Sequence, residues 1–299
     1  MASPKSPAPT RYKLTVAYEG TDFSGWQKQE PPDPDSEPDP QTGERPRLQL
    51  RTAQHVLERA VREVVRETVN VKGASRTDAG VHAWGQVAAF TSRPEPDKGV
   101  GWPAERGTGP LVRALNGRLP PDLLVRHAEI VPLEFDPITG ATDKQYSYSI
   151  HSSLTRPLWD RRMVYWTVHE LDLDRMNAAA AHLVGEHDFV SFAQANHGRL
   201  TTVRTVFDCR VLNETTTQVA DPKSEVPNRL RLQISGSGFL YNMVRIIAGT
   251  LVECGRGRID PGSIPEILAA KDRGAAGPTL PPEGLRLDWI RHGDHQAGS

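Results

Sequence analysis

The apolar positions of the chain fall into two runs of the same pattern. Residues 11–19 (RYKLTVAYE) alternate as in a half-buried strand. Over residues 52–67, Ala53, Val56, Leu57, Ala60, Val61, Val64 and Val65 recur at helical spacing with Arg and Glu opposite. A short strand near 70–73, a small-residue turn, a strand near 83–91, a short helix over 111–116 and a strand over 123–131 complete a β-α-β-β-α-β series. The second half repeats that order, with a strand over 144–151, a helix over 172–184, strands over 203–212 and 229–235, helices over 240–254 and 263–271, and a closing strand over 285–290. This predicts an α+β protein of two ferredoxin-like or RNA-recognition-motif-like units, each with helices on one face of an antiparallel sheet. Their sheets are expected to join, with a cleft between them. The expected divisions are a disordered tail at 1–10, a first unit at 11–143 and a second at 144–299.

Charge changes this picture in one place. The formal net charge is -1, but residues 30–44 hold six carboxylates, five prolines and no cation, and without them the remainder carries +5. Residues 30–46 therefore read as a flexible acidic surface insertion, and the rest as mildly basic, which suits phosphate contact. Arg51, Arg59, Arg62, Arg113, Arg199, Arg204, Arg256 and Arg258 are candidates for such contacts, although each alone reads as an ordinary solvated charge. No apolar run approaches a membrane span, residues 1–9 lack the apolar core of a signal peptide, and the two cysteines, Cys209 and Cys254, form no CxxC. A soluble, cytoplasmic protein without disulfide or zinc framework is expected.

The chemistry-bearing stretch is Lys72-Gly73-Ala74-Ser75-Arg76-Thr77-Asp78-Ala79-Gly80-Val81-His82-Ala83, followed by Gly85-Gln86-Val87. Asp78 lies on a small-residue turn between two strand-like segments, with Arg76 close enough in sequence to favour its ionised form. From these residues it reads as a nucleophile, a general base, a metal ligand or an Asx-type turn-former. No Asp, Glu or His cluster at ligand spacing accompanies it, and His182, Glu186 and His187 fit no zincin pattern. The Ser235-Gly236-Ser237-Gly238 run reads as a tight turn, with phosphate binding at a helix N-terminus as the other reading.

The stretch from Arg76 to Ala83, with Gly85-Gln86-Val87, resembles the active-site motif of the TruA family of tRNA pseudouridine synthases. Further segments agree in order along nearly the whole chain: Tyr18 to Gln27 (YEGTDFSGWQ), Gly185-Glu186-His187-Asp188-Phe189 with Ser191-Phe192, Met243-Val244-Arg245, Ala269-Ala270-Lys271-Asp272-Arg273 and Pro282-Glu283-Gly284-Leu285. The resemblance implies an isomerase that converts uridines at tRNA positions 38 to 40 to pseudouridine, without cofactor or metal, as a homodimer. It implies Asp78 as the nucleophile and Arg245 as its paired cation. Tyr146 would stack on the flipped uracil, Leu285 would pack on the other side of the base, and Arg76 would help hold the nucleotide out of its stack. This chain departs from the family at Ile138, and at Lys144 and Gln145, where arginines are common. A different class of reading is a non-catalytic RNA-binding protein of two recognition-motif-like units, but neither half shows an RNP-type aromatic pattern.

Overall fold

The computed structural model describes residues 8–194, 201–214 and 228–293. The chain divides into two compact units, one reaching to Ala141 and including Gly293, the other Thr142–His292. The tail expected at 1–10 lies outside the described residues as far as position 7. Its last member, Thr10, instead begins a strand and is buried.

In the first unit the order is β1 (Thr10–Tyr18), α1 (Ala53–Val65), β2 (Lys72–Gly73), β3 (His82–Ser92), α2 (Thr108–Asn116) and β4 (Leu123–Val131). The strands lie side by side as β4-β1-β3-β2, all antiparallel. Leu14 of β1 pairs with Ala88 and Ala128, and Tyr12, Leu14 and Val16 are fully buried on one face. Lys13, on the other face, reaches Glu129 at 2.9 Å. The amphipathic spacing of α1 buries its apolar stripe. Thr52 caps the helix by accepting from the His55 amide at 3.3 Å, and Arg66 ends it in the left-handed conformation. Glu58 of α1 is buried yet satisfied, taking the Val71 amide at 3.1 Å and Arg62 at 2.8 Å.

The second unit contains β5 (Ala141–Ser152), β6 (Tyr165–Thr167), α3 (Leu173–Ala181), β7 (Gly185–Asp188), β8 (Val203–Asn213), β9 (Asn228–Gly236), α4 (Met243–Gly255), α5 (Ile264–Ala270) and β10 (Leu285–His292). Its strands run β10-β5-β9-β8-β7, with the short β6 parallel to β5. Numbering the four principal strands of each unit in chain order gives the same spatial order, 4-1-3-2, in both. The two α+β repeats expected from periodicity are present.

β6 and β7 were not expected, and for a physical reason. β6 is three residues long, too short to show a period, and β7 (GEHD) has no apolar residue to alternate. β7 exists because it pairs antiparallel with β8, Glu186 opposite Thr205. The insertion at 30–46 is exposed, but its base is closed by antiparallel backbone bonds, Asp33 N to Pro46 O at 2.7 Å and Leu48 N to Pro31 O at 2.8 Å. Cys209 on β8 and Cys254 on α4 are buried free thiols. Burial pushes the Cys254 thiol up to about 11 and that of Cys209 higher still. No described helix is long and apolar enough to cross a membrane.

Candidate active site

In the first unit, Asp78 sits half-buried on the turn between β2 and β3. The turn closes with the Val81 amide on the Asp78 carbonyl at 3.2 Å, and Gly80 takes a φ of 81°. A second segment, residues 20–27, grips this turn at several points. The Trp26 amide donates to the Thr77 carbonyl at 3.0 Å, the Gly80 amide to the Phe23 carbonyl at 3.2 Å, and the Gly20 amide to Nδ1 of His82 at 2.9 Å. The Tyr18 hydroxyl meets the Thr77 hydroxyl at 2.7 Å. Gln86, fully buried, clamps the other end, accepting from the Ser75 amide at 3.2 Å and donating to the Ser75 carbonyl at 2.6 Å. The backbones approach so closely that a Cβ on Gly20 would lie 2.0 Å from the Val81 carbonyl oxygen, and one on Gly25 would lie 2.7 Å from that of Thr77. The glycines of the 20–27 segment thus have a mechanical reason, and its work is to fix the aspartate. Arg76 is exposed on the same turn and donates through Nε to Gln27 at 3.2 Å.

In the second unit, Arg245 lies in the first turn of α4, a helix whose other residues are almost all buried. Its guanidinium is aimed by two acceptors. Nε donates to the Leu280 carbonyl at 2.6 Å and Nη1 to Oδ1 of Asn242 at 2.8 Å. The Leu280 amide returns a bond to the Arg245 carbonyl at 3.3 Å, and the Gly277 amide bonds the Thr250 hydroxyl at 2.9 Å, so the strap 277–284 is sewn to the helix. That strap leads directly into Leu285, the buried first residue of β10. Tyr148, completely buried on β5, donates to the Pro281 carbonyl at 2.7 Å. Burial raises its phenol well above 10, keeping it a neutral donor, and the nearby Arg245 charge opposes that only in part. Tyr146, two residues earlier, is buried opposite Ile234, with its ring edge-on to Phe239 at 5.3 Å. The second unit therefore links Arg245 and Leu285 through one strap, and seats Tyr146 against the residue that leads into the same helix.

Asn242 was not singled out in the sequence. It is buried, adopts the left-handed conformation at φ 58°, and joins Arg245 to Gln194 by donating to the Gln194 side-chain oxygen. Its backbone also explains why α4 starts at Met243 rather than 240. An asparagine directly before a long apolar run is a helix-start signal, but the left-handed turn that makes its side chain bridge two polar groups has no sequence signature. The Ser235–Gly238 run is not at a helix terminus. Gly236 ends β9, and the Ser237 amide bonds the Thr205 carbonyl at 3.0 Å.

Two motifs without assigned chemistry brace each other. Lys271 pairs with Asp188 at 2.9 Å, while Ser191 donates to the Ile267 carbonyl at 2.6 Å and accepts the Asp272 amide at 3.0 Å. The Thr202 hydroxyl and Lys271 hold the Asp188 carboxyl below its ordinary range. His187 places Nε2 3.1 Å from the Val184 carbonyl, and no group of His, Cys, Asp or Glu able to hold a metal occurs among the described residues. Several basic candidates are already engaged. Arg51 pairs with Asp122 at 2.9 Å and lies 4.1 Å over Phe23, Arg62 pairs with Glu58, and Arg256 pairs with Glu253 at 2.7 Å. Arg199 lies outside the described residues.

A family model described as tRNA pseudouridine synthase matches residues 179–291. The chain is 38% identical to tRNA pseudouridine synthase A of Geotalea uraniireducens (strain Rf4), over 92% of this chain and 96% of that protein. The chain belongs to the tRNA pseudouridine synthase A family. Identity to the Myxococcus xanthus member is 39%, over 95% of this chain and 92% of the relative. The Acetivibrio thermocellus member is 36% identical over 92% and 96%. The synthase is therefore an isomerase of tRNA uridines. The matched segment contains Arg245 and Leu285, and the matches to the relatives span most of the chain.

Proposed function

We propose that this synthase converts uridine to pseudouridine in the anticodon stem-loop of tRNA, at positions 38, 39 and 40, with Asp78 as nucleophile. The observation that carries the reading is the Asp78 turn. Its carboxylate-bearing residue is half-buried on a backbone fixed from both sides, and rigid placement of one acid is what covalent or proton-transfer catalysis at a single nucleotide requires. In the proposed reaction the bond between uracil N1 and ribose C1′ breaks, the base rotates, and a bond from C5 to C1′ forms. N1 ends with a proton and C5 loses one, so the product is an isomer and no cofactor is consumed. Asp78 serves this by attack at C1′, by proton removal at C2′ or by addition at uracil C6.

Arg245 is the proposed cation for the Asp78 carboxylate, and its two-point anchoring suits that role, because a charge held in place needs no reorganisation during the reaction. Tyr146 is proposed to stack on the uracil and Leu285 to pack on its other side, while Arg76, exposed beside Asp78, is proposed to hold the space from which the nucleotide has been extruded. The proposed working form is a cytoplasmic homodimer bound to tRNA.

The test is site-resolved pseudouridine mapping on tRNA incubated with wild type and with Asp78→Ala. Product at 38 to 40 with wild type and none with the variant is the expected result. Unchanged product in the variant refutes the nucleophile, modification elsewhere refutes the positions, and tight binding of tRNA without product by wild type makes the protein a binding module.

A further inference from the structure

In the first unit β1 is flanked by two bulges at nearly the same point, and each re-aims one side chain. On the β3 side Val16 pairs with Gln86 and Tyr18 with Ala83, so Trp84 and Gly85 together oppose Ala17. On the β4 side Thr15 pairs with His127 and Val16 with Val125, so Arg126 is the extra residue. Bulges turn a side chain out of the alternation of its strand, and here the two turned side chains meet. The Arg126 guanidinium lies over the Trp84 ring at 4.0 Å, and its Nη1 donates to the Trp84 carbonyl at 3.0 Å. The pair faces water, with Trp84 49% exposed on a strand that is otherwise almost wholly buried. Two other arginines lie over tryptophans, and neither is presented in this way. Trp102, under Arg106, is buried, and Arg291, over Trp289, is tied to Asp143 at 3.3 Å. Among the described residues no acid pairs with Arg126. A guanidinium held flat on an aromatic ring, with no carboxylate beside it, is a preformed receptor for an anion.

The pair sits at the end of the sheet that carries the Asp78 turn. Ala83, next to Trp84, pairs with Tyr18, whose hydroxyl meets that of Thr77 at 2.7 Å. Trp84 follows Asp78 by six residues in the chain, a reach of at most about 20 Å, or roughly six stacked nucleotides.

We propose that Arg126, backed by Trp84, binds a backbone phosphate of the tRNA within about six nucleotides of the target uridine. This rests on the reading above that reaction takes place at the Asp78 turn. The tRNA is the occupant this chemistry favours, because the chain belongs to a family that modifies tRNA and every nucleotide of that substrate carries the anion an unpaired guanidinium takes. Trp84 is the positioning residue. Its ring sets the plane of the guanidinium and its carbonyl sets the rotation within that plane, which leaves the remaining N–H groups for phosphate oxygens. Such a contact reads no base. It fixes the register of the strand against Asp78, and so contributes to which uridine reaches the turn.

Equilibrium binding of unmodified tRNA to the full chain, between about 50 and 200 mM salt, tests the proposal with Arg126→Gln, Trp84→Ala and Trp84→Phe. Arg126→Gln is expected to weaken binding about 10-fold and to reduce the slope of log affinity against log salt by about one. Trp84→Ala should weaken binding several-fold, and Trp84→Phe should restore it because the ring is kept. In steady-state pseudouridine formation the loss should fall on KM rather than kcat. Phosphate-ethylation interference on the tRNA should show a site within about six nucleotides of the modified uridine with wild type, and that site should vanish with Arg126→Gln. Arg126 is exposed, so thermal unfolding of Arg126→Gln should match wild type within about 2 °C, and that variant decides the matter if Trp84→Ala fails to fold. A wild-type salt slope in Arg126→Gln, or an interference pattern that this substitution leaves unchanged, overturns the proposal. Product formation by Asp78→Ala would strike the nucleophile and leave the Arg126 binding result standing.

Discussion

Two helices of 13 residues, α1 in the first unit and α4 in the second, show how one architecture carries two kinds of work. Each leads from one strand to another in a 4-1-3-2 arrangement. α1 is amphipathic, with Arg59, Arg62 and Glu63 on its outer side and a hydroxyl cap at its start. α4 is buried on nearly every side, starts from a strained asparagine instead of an ordinary cap, and carries one guanidinium in its first turn. A solvent-facing helix can be stabilised by capping and surface pairs, whereas a charge on a buried helix persists only where fixed acceptors meet it. The difference also separates how the two units present chemistry. The first fixes an acid through backbone bonds to a turn, and the second fixes a cation through side-chain and carbonyl acceptors.

That contrast can be broken most severely at its two ends. Asp78→Asn keeps the size of the side chain and removes its negative charge. Single-turnover pseudouridine formation is expected to fall by about 10³-fold or more, with the melting temperature little changed. Next is Gly20→Ala, which drives a methyl into the Val81 carbonyl. It should cost roughly 2–4 kcal/mol in chemical denaturation and also lower the rate, because the aspartate turn must shift. Asn242→Gly probes the second unit. Glycine accepts the left-handed backbone but cannot hold Arg245, so a loss of about 10–100-fold in kcat is expected with KM nearly unchanged, alongside a stability cost of about 1–2 kcal/mol for the two lost hydrogen bonds. A loss of stability with kcat unchanged would mean that the residue only caps the helix.

Smaller effects sharpen the comparison. Tyr148→Phe leaves the Pro281 carbonyl without its donor and should cost about 1–2 kcal/mol, read from urea midpoints. The least is expected at Lys72, which bonds Asp136 and holds its carboxyl below the ordinary 3.8. A depressed carboxyl stabilises the fold at pH above that ordinary value, and the benefit disappears as pH falls through the folded-state value. Lys72→Ala should thus cost under ~0.5 kcal/mol at pH 7 for so exposed a pair, and wild type and variant should converge in strong acid.

Much of this was legible in the sequence where the signal is periodic. The apolar spacing of residues 53–65 and the strand read over 123–131 located α1 and β4 almost to the residue, and the doubled series anticipated the α+β elements of both units. The turn that carries Asp78 between two strands was legible because small residues flank it. Its supports were not, since the contact between residues 20–27 and the turn is made by carbonyls and amides, which every residue has. Asn242 escaped for the same reason, because its importance lies in a dihedral angle and not in a pattern. Gly185–Asp188 was missed as a strand because polar residues satisfy a ladder as well as apolar ones do when the pairing comes from a neighbour.

The two buried thiols have a practical consequence. With Cys254 raised to about 11 and Cys209 beyond it, neither forms appreciable thiolate at neutral pH, and the thiolate is the species that alkylates. The native protein should therefore ignore maleimide at pH 7 without any cysteine being removed. A single cysteine introduced at an exposed position such as Leu154 would then take a fluorophore alone, turning the unaltered wild-type background into a ready vehicle for distance measurements in solution.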